Sequence, residues 1–175
     1  MECSVFIATS LDGFIARTNG DLDWLPGESS GIPDEDHGYH AFMNTVDVLI
    51  MGRGTFDKVL TFGAWPFTKP VVVLTSRAIE LPAKAPVEAM SGSPAEIVDR
   101  LASRGMKHAY IDGGVTIQRF LVDGLIQRLI ITRIPVLIGS GIPLFGPLTR
   151  DIRLRHVDTR SWGSGLVQGV YEVVA

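Results

Sequence analysis

Four-residue runs with no polar position constrain this chain more than any other feature. Val48-Leu49-Ile50-Met51 and Val71-Val72-Val73-Leu74 show no alternation of apolar and polar residues. A strand with one wet face alternates, whereas a strand that is apolar throughout must be covered on both faces. His108-Ala109-Tyr110-Ile111 and Leu129-Ile130-Ile131-Thr132 read as strands too. Val5-Phe6-Ile7-Ala8 reads as a short buried strand ending near Thr9, and Val87 to Met90 as a weaker one. Helix signals stand between them. Pro33 and the acids Asp34-Glu35-Asp36 suit a helix start, with Tyr39, Phe42, Met43 and Val46 as the apolar stripe of a helix over 34–45. A short helix follows Gly52 and runs to about Leu60. Ser93-Pro94-Ala95-Glu96 has the form of a capping box and opens a helix ending near Gly105. Another helix follows Gly113-Gly114 and runs to about Val122. Arg153 to Thr159 and Leu166 to Val174 alternate and predict an antiparallel hairpin across Trp162-Gly163-Ser164-Gly165. The pattern predicts an α/β fold, with a mostly parallel sheet, helices on both faces and an antiparallel C-terminal edge. One domain covers residues 1–175, with no repeat and no linker.

Composition narrows the function classes. Hydrophobic residues are 46% and charged residues 20% of 175, so a sizeable core is available. A net charge of −3 supplies no overall basic field for nucleic acid or an anionic membrane. The single cysteine, Cys3, excludes a disulfide framework and a cysteine zinc site. The start of the chain has no basic leader, and no apolar stretch reaches the ~18 residues of a membrane span. The expectation is a cytoplasmic protein acting on a small molecule.

Three strand ends carry glycine or hydroxyl residues where helices begin. They are Gly52-Arg53-Gly54-Thr55, Thr75-Ser76-Arg77 and Gly113-Gly114-Val115-Thr116. Free N–H groups at helix starts attract phosphate, glycine permits close approach, and Arg53 and Arg77 add forked positive charge. Together they form a cradle for a phosphorylated cofactor. The three-glycine dinucleotide fingerprint is absent. Gly27-Glu28-Ser29-Ser30-Gly31 matches a nucleophile elbow only in letters, because no strand precedes it and no helix follows. The long segment Ser10 to Pro33 has no helical period, yet carries Phe14, Ile15, Leu22, Trp24 and Leu25. It reads as a loop folded over something. His37 and His40 would share a helix face, which admits a metal-dependent hydrolase as a further reading, though the acids there suit a helix terminus better.

These residues resemble the dihydrofolate reductase-like superfamily, and in particular the reductase domain of riboflavin biosynthesis and its stand-alone relatives. The resemblance rests on Ala8-Thr9-Ser10-Leu11-Asp12-Gly13-Phe14-Ile15-Ala16, Met51-Gly52-Arg53-Gly54-Thr55-Phe56, Leu74-Thr75-Ser76-Arg77 and Ile111-Asp112-Gly113-Gly114. Ile131-Thr132-Arg133-Ile134-Pro135 and Gly139-Ser140-Gly141-Ile142-Pro143-Leu144-Phe145 extend it, in the family's order. It implies a three-layer fold with a central sheet of about eight strands and an NADPH-dependent reductase. Ala8, Thr9, Asp12, Ile15 and Trp24 would lie on the nicotinamide and substrate side. Gly52, Arg53, Gly54, Thr55, Thr75, Ser76, Arg77, Ile111, Gly113, Gly114, Val115 and Thr116 would hold the cofactor. Asp36 would be the catalytic carboxylate, with a pKa raised by burial. Ser76 and Arg77 imply preference for NADPH over NADH.

Two departures accompany the resemblance. Phe6 stands where riboflavin-type domains carry a lysine, and the family's arginine-rich substrate helix is replaced by residues 34–44, whose only basic side chains are histidines. The leading function is reduction of a pterin- or riboflavin-precursor-type substrate. The alternative is a nucleotide-binding module without turnover. A mean hydropathy of +0.24 and the C-terminal edge also predict a homodimer.

Overall fold

The structure is a computed structural model and describes residues 1–27, 35–83 and 85–174. The elements run β1 (Glu2–Ser10), β2 (Phe14–Ala16), α1 (Tyr39–Thr45), β3 (Val48–Gly52), α2 (Arg53–Leu60), β4 (Val71–Leu74), β5 (Val87–Met90), α3 (Pro94–Ser103), β6 (His108–Asp112), α4 (Gly114–Val122), β7 (Arg128–Ile134), β8 (Ile142–Pro143), β9 (Leu154–Ser161) and β10 (Val167–Val173). Eight strands form one sheet in the order β5-β4-β3-β6-β1-β7-β10-β9. The first six are mutually parallel, and β10 runs antiparallel to both β7 and β9.

The apolar runs are central for the expected reason. Val48, Leu49, Ile50 and Met51 of β3 are each 0% exposed. Alternate residues feed opposite cores: Val48 and Ile50 pack with Ile97, Leu101, Ile117 and Phe120 of α3 and α4. Leu49 and Met51 pack with Phe42, Phe56 and Val59 of α1 and α2. Each helix therefore lies on a known face, α1 and α2 on one and α3 and α4 on the other. The capping box at α3 is formed: the Ser93 hydroxyl accepts from the Glu96 N–H, and the Glu96 carboxylate accepts from the Ser93 N–H at 2.7 Å. Such a cap contributes about 1 kcal/mol.

Two expectations change. The helix expected over 34–45 begins only at Tyr39. Its expected first acid, Asp34, and Pro33 lie outside the described residues, as do residues 28–31 of the Gly27–Gly31 match. Asp36 instead closes a turn, its carboxylate accepting from Gly38 N at 3.1 Å and His40 N at 2.9 Å. A short acidic side chain bonds nearby backbone N–H groups more readily in a turn than inside a helix. Second, the segment after β1 contains β2, which pairs with β8 as a separate two-stranded ribbon. Three residues are too few to show a period.

Candidate active site

After β3 the chain turns through α2 toward β4, and after the adjacent β6 it passes through α4 toward β7 on the other side. Neighbouring strands whose connections diverge leave a crevice at their carboxyl ends. Here α2 and α4 lie on opposite faces, and both begin at that crevice. The two strand ends interlock with the two helices. A Cβ on Gly52 would stand 2.9 Å from Thr116 Oγ1, and one on Gly113 would stand 2.2 Å from Thr55 Oγ1. Gly113 also has φ +89°, a left-handed conformation that glycine adopts without penalty. Glycine is thus required at both positions by contact, and at Gly113 by backbone as well.

Over this crevice lies a cleft of about 770 Å³, within the ~300–1,000 Å³ common for ligand sites. Gly52, Arg53, Gly54, Thr55, Gly113, Gly114, Val115 and Thr116 all line it, as do Thr75 and Ser76 beyond β4. From the other side come Phe6 and Ala8 of β1, Ile15 of β2, and Gly20, Leu22 and Leu25 of the following loop. That loop is tied down by Arg17 to Asp23 and by Lys58 of α2 to Asp21 at 3.0 Å. Lys58 and Arg119 line the cleft beside Arg53. Neither lysine nor arginine was expected there beyond Arg53 and Arg77. The cleft thus combines two helix N-termini with three cationic side chains, a combination suited to phosphate groups.

Several expected residues serve the site indirectly. Ile111 is 0% exposed and packs in the core, so its side chain is beneath the cleft rather than in it. Thr9 is buried in β1 and does not line the cleft. Arg77 is exposed outside the lining; the helix expected to begin at Thr75-Ser76-Arg77 does not form, and the Arg77 N–H instead donates to Thr75 Oγ1 in a turn around Ser76. Asp12 accepts from Gly139 N at 2.8 Å and Ile138 N at 3.3 Å, anchoring the closing loop to β1. Its carboxyl is held below the usual range, chiefly by the Ser10 hydroxyl. Trp24 is buried with Ile134 and Leu166, and Leu25 packs against that cluster.

Asp36 is corrected. Its carboxyl is exposed and held below the ordinary value, first by the His40 N–H and then by the His40 side chain. It is an ionised turn-closing group, not a buried acid. His40 bonds Asp36, whereas the His37 ring meets Trp162 edge-on at 4.8 Å. The two histidines therefore do not converge, and no group of three metal-type ligands occurs among the described residues.

The acid with a raised pKa is Asp112, the partly exposed last residue of β6. Its carboxyl lines the cleft and accepts from Gly113 N at 2.8 Å. Removal from water pushes its pKa up to about 6, with the Gly113 bond opposing the shift only in part. Its charge in turn helps to raise the Tyr39 and Tyr110 hydroxyls, although burial is the larger cause for both. The available signal was a charged residue ending the apolar run Ala109-Tyr110-Ile111, directly before two glycines.

A match to the RibD C-terminal domain spans residues 3–168. The chain belongs to that family. It is 34% identical to the uncharacterized protein YwjB of Bacillus subtilis over 165 residues, which is 93% of this chain and 92% of that protein. It superposes with a TM-score of 0.89 on a protein of Shewanella sp. PV-4 assigned to riboflavin biosynthesis, at 40% identity and full coverage of both chains. A dihydrofolate reductase of Enterococcus faecalis, complexed with NADP(H), matches at a TM-score of 0.70. At 17% identity, over 98% of this chain and 96% of that one, this last likeness is one of fold. The RibD C-terminal match points to an oxidoreductase framework, and the dihydrofolate reductase likeness adds the fold alone. No helix among the described residues is long and apolar enough to cross a membrane.

Proposed function

We propose that this RibD C-terminal family member is a cytoplasmic, NADPH-dependent reductase that transfers a hydride to a pterin- or riboflavin-precursor-type heterocycle. The observation that carries the reading is the crevice between β3 and β6. Two helix N-termini on opposite faces meet there at Gly52 and Gly113, with Arg53, Lys58 and Arg119 around them. These residues fit a dinucleotide phosphate. Ser76, two residues beyond β4 in the cleft lining, supports a contact with a 2′-phosphate, and Arg77 adds charge outside it. Phe6, Ala8, Ile15 and Leu25 supply an apolar wall that excludes water from a nicotinamide ring.

Bound there, NADPH supplies a hydride. Hydride addition to the carbon of a C=N or C=O group leaves the heteroatom one proton short. Asp112, with its carboxyl pushed up to about 6, is partly protonated near neutral pH and can hold that proton, directly or on a water. The remaining acceleration comes from orientation in a dry cleft. The test has two stages. NADPH is titrated by fluorescence, and oxidised pterins and the deaminated riboflavin precursor are then screened for loss of reduced-nicotinamide absorbance. The expected result is tight NADPH binding with oxidation by at least one candidate. Binding with no oxidation would favour a nucleotide-binding module without turnover, the reading that Phe6 at the family's lysine position motivates.

A further inference from the structure

The ribbon of β2 and β8 is the least self-sufficient part of the cleft wall. It sets three residues against two, with Phe14 opposite Pro143 and Ala16 opposite Ile142. A two-stranded ribbon this short has little stability of its own. Yet Ile15 and Ile142 line the cleft, in front of the start of α4. Their position therefore depends on what holds the ribbon from outside. Its stem is tied to the end of β1: the Leu144 N–H donates to the Gly13 carbonyl at 3.0 Å, and the Asp12 carboxylate accepts from Ile138 N and Gly139 N. None of these bonds reaches α4.

The tie to α4 is Gln118. Its Nε2 donates to the Pro143 carbonyl at 3.0 Å and to the Leu144 carbonyl at 3.4 Å. No other hydrogen bond joins α4 to the ribbon among the described residues. Gln118 lies one turn after Gly114, so the two share a helix face. At Gly114 a Cβ would stand 3.1 Å from Ile15 Cδ1, 3.2 Å from the Pro143 carbonyl oxygen and 3.3 Å from Ile142 Cγ2. The ribbon thus lies along that face, in contact at the bare glycine and bonded at the amide. The closing segment leaves room for the amide in turn, since a Cβ on Gly146 would stand 2.6 Å from Gln118 Oε1.

We propose that Gln118 is a positioning residue for the cofactor: by fixing the β2–β8 ribbon on α4, it sets the spacing between the phosphate cradle at Gly113-Gly114 and the wall of Ile15 and Ile142. The proposal rests on the reductase reading above. Gln118 itself does not line the cleft, so it acts only through the ribbon. A dinucleotide anchored by its phosphates at the helix terminus reaches the wall with its nicotinamide end, and a displaced wall costs that end its contacts. Loss of the Gln118 amide should therefore spare the phosphate half of the cofactor and weaken the whole.

Calorimetric titration of the full chain with NADPH and with 2′-phospho-ADP-ribose, which lacks the nicotinamide, tests this. In Gln118→Leu, of similar size but without a donor, NADPH affinity should fall at least about fivefold and that of 2′-phospho-ADP-ribose by less than about twofold. Gln118→Lys restores a donor for the two carbonyls and should recover NADPH binding to within about twofold. Gly146→Ala displaces the amide without removing it and should reproduce the selective loss, which keeps the test open if Gln118→Leu does not fold. Amide hydrogen exchange gives a readout free of ligand: in Gln118→Leu the Leu144 N–H should quicken by a larger factor than the Ile50 N–H of β3. Equal losses for the two ligands, an unchanged NADPH affinity, or a Gln118→Lys protein as weak as Gln118→Leu overturns the proposal. The failures are separable: no NADPH binding by the unaltered chain sinks the reductase reading, whereas NADPH binding indifferent to Gln118 sinks only the positioning role.

Discussion

Replacing Asp112 by Asn should make the protein more stable while impairing its chemistry. The Asp112 carboxyl has an ordinary value of 3.8 and a folded value of about 6. A folded pKa above the unfolded one means that the native state binds the proton more tightly. Stability is therefore greatest at low pH and falls as pH rises from about 4 through about 6. At about 1.36 kcal/mol per unit, the penalty for holding the ionised carboxylate reaches about 3 kcal/mol above that range. Asn has nearly the same shape and keeps an oxygen for the Gly113 N–H, as the protonated acid does, and the stronger bond to the carboxylate is already contained in the folded value. The expected gain is about 3 kcal/mol near pH 8. Because Asp112 is mostly protonated at about pH 5, the advantage of Asn there should be about 1.4 kcal/mol smaller. Urea unfolding of both proteins at the two pH values, at equal ionic strength, measures the difference. Turnover of the accepted substrate should fall in the variant at both pH values, with NADPH affinity nearly unchanged. An advantage that does not change with pH, or one that shrinks as pH rises, would refute the placement of Asp112 as a desolvated acid.

Three further outcomes follow from the same geometry. Ser76→Asp should weaken NADPH at least about tenfold and NADH by less than about twofold, because the new charge faces only the 2′-phosphate; equal losses for both in fluorescence titrations would remove Ser76 from that role. Gly113→Ala should cost about 2–4 kcal/mol in urea unfolding, combining left-handed strain with the approach to Thr55 Oγ1; a cost under about 1 kcal/mol would contradict the interlock. Every residue of the edge strand β9 is exposed, Leu154 and Val157 among them, and sedimentation at micromolar concentration should give a dimer mass; a monomer mass would refute the expected homodimer.

Sequence alone determined the layers and the position of the cleft. An apolar run such as Val48–Met51 can be satisfied only with cover on both faces, and a glycine where a strand meets a helix marks a close approach. Both are local requirements and survive in whatever fold accommodates them. The tertiary structure decided the roles of individual side chains. Asp36 and Asp112 are both carboxylates near helix starts, but one meets solvent and backbone N–H groups, whereas the other ends a central strand in the wall of the cleft. Their pKa values move in opposite directions because desolvation depends on what the rest of the chain places over each group, which no local pattern encodes. Gln168 shows the same limit across distance. It holds His37 and Thr132, residues 131 and 36 positions away, and only the register of β10 against β7 brings that amide to them.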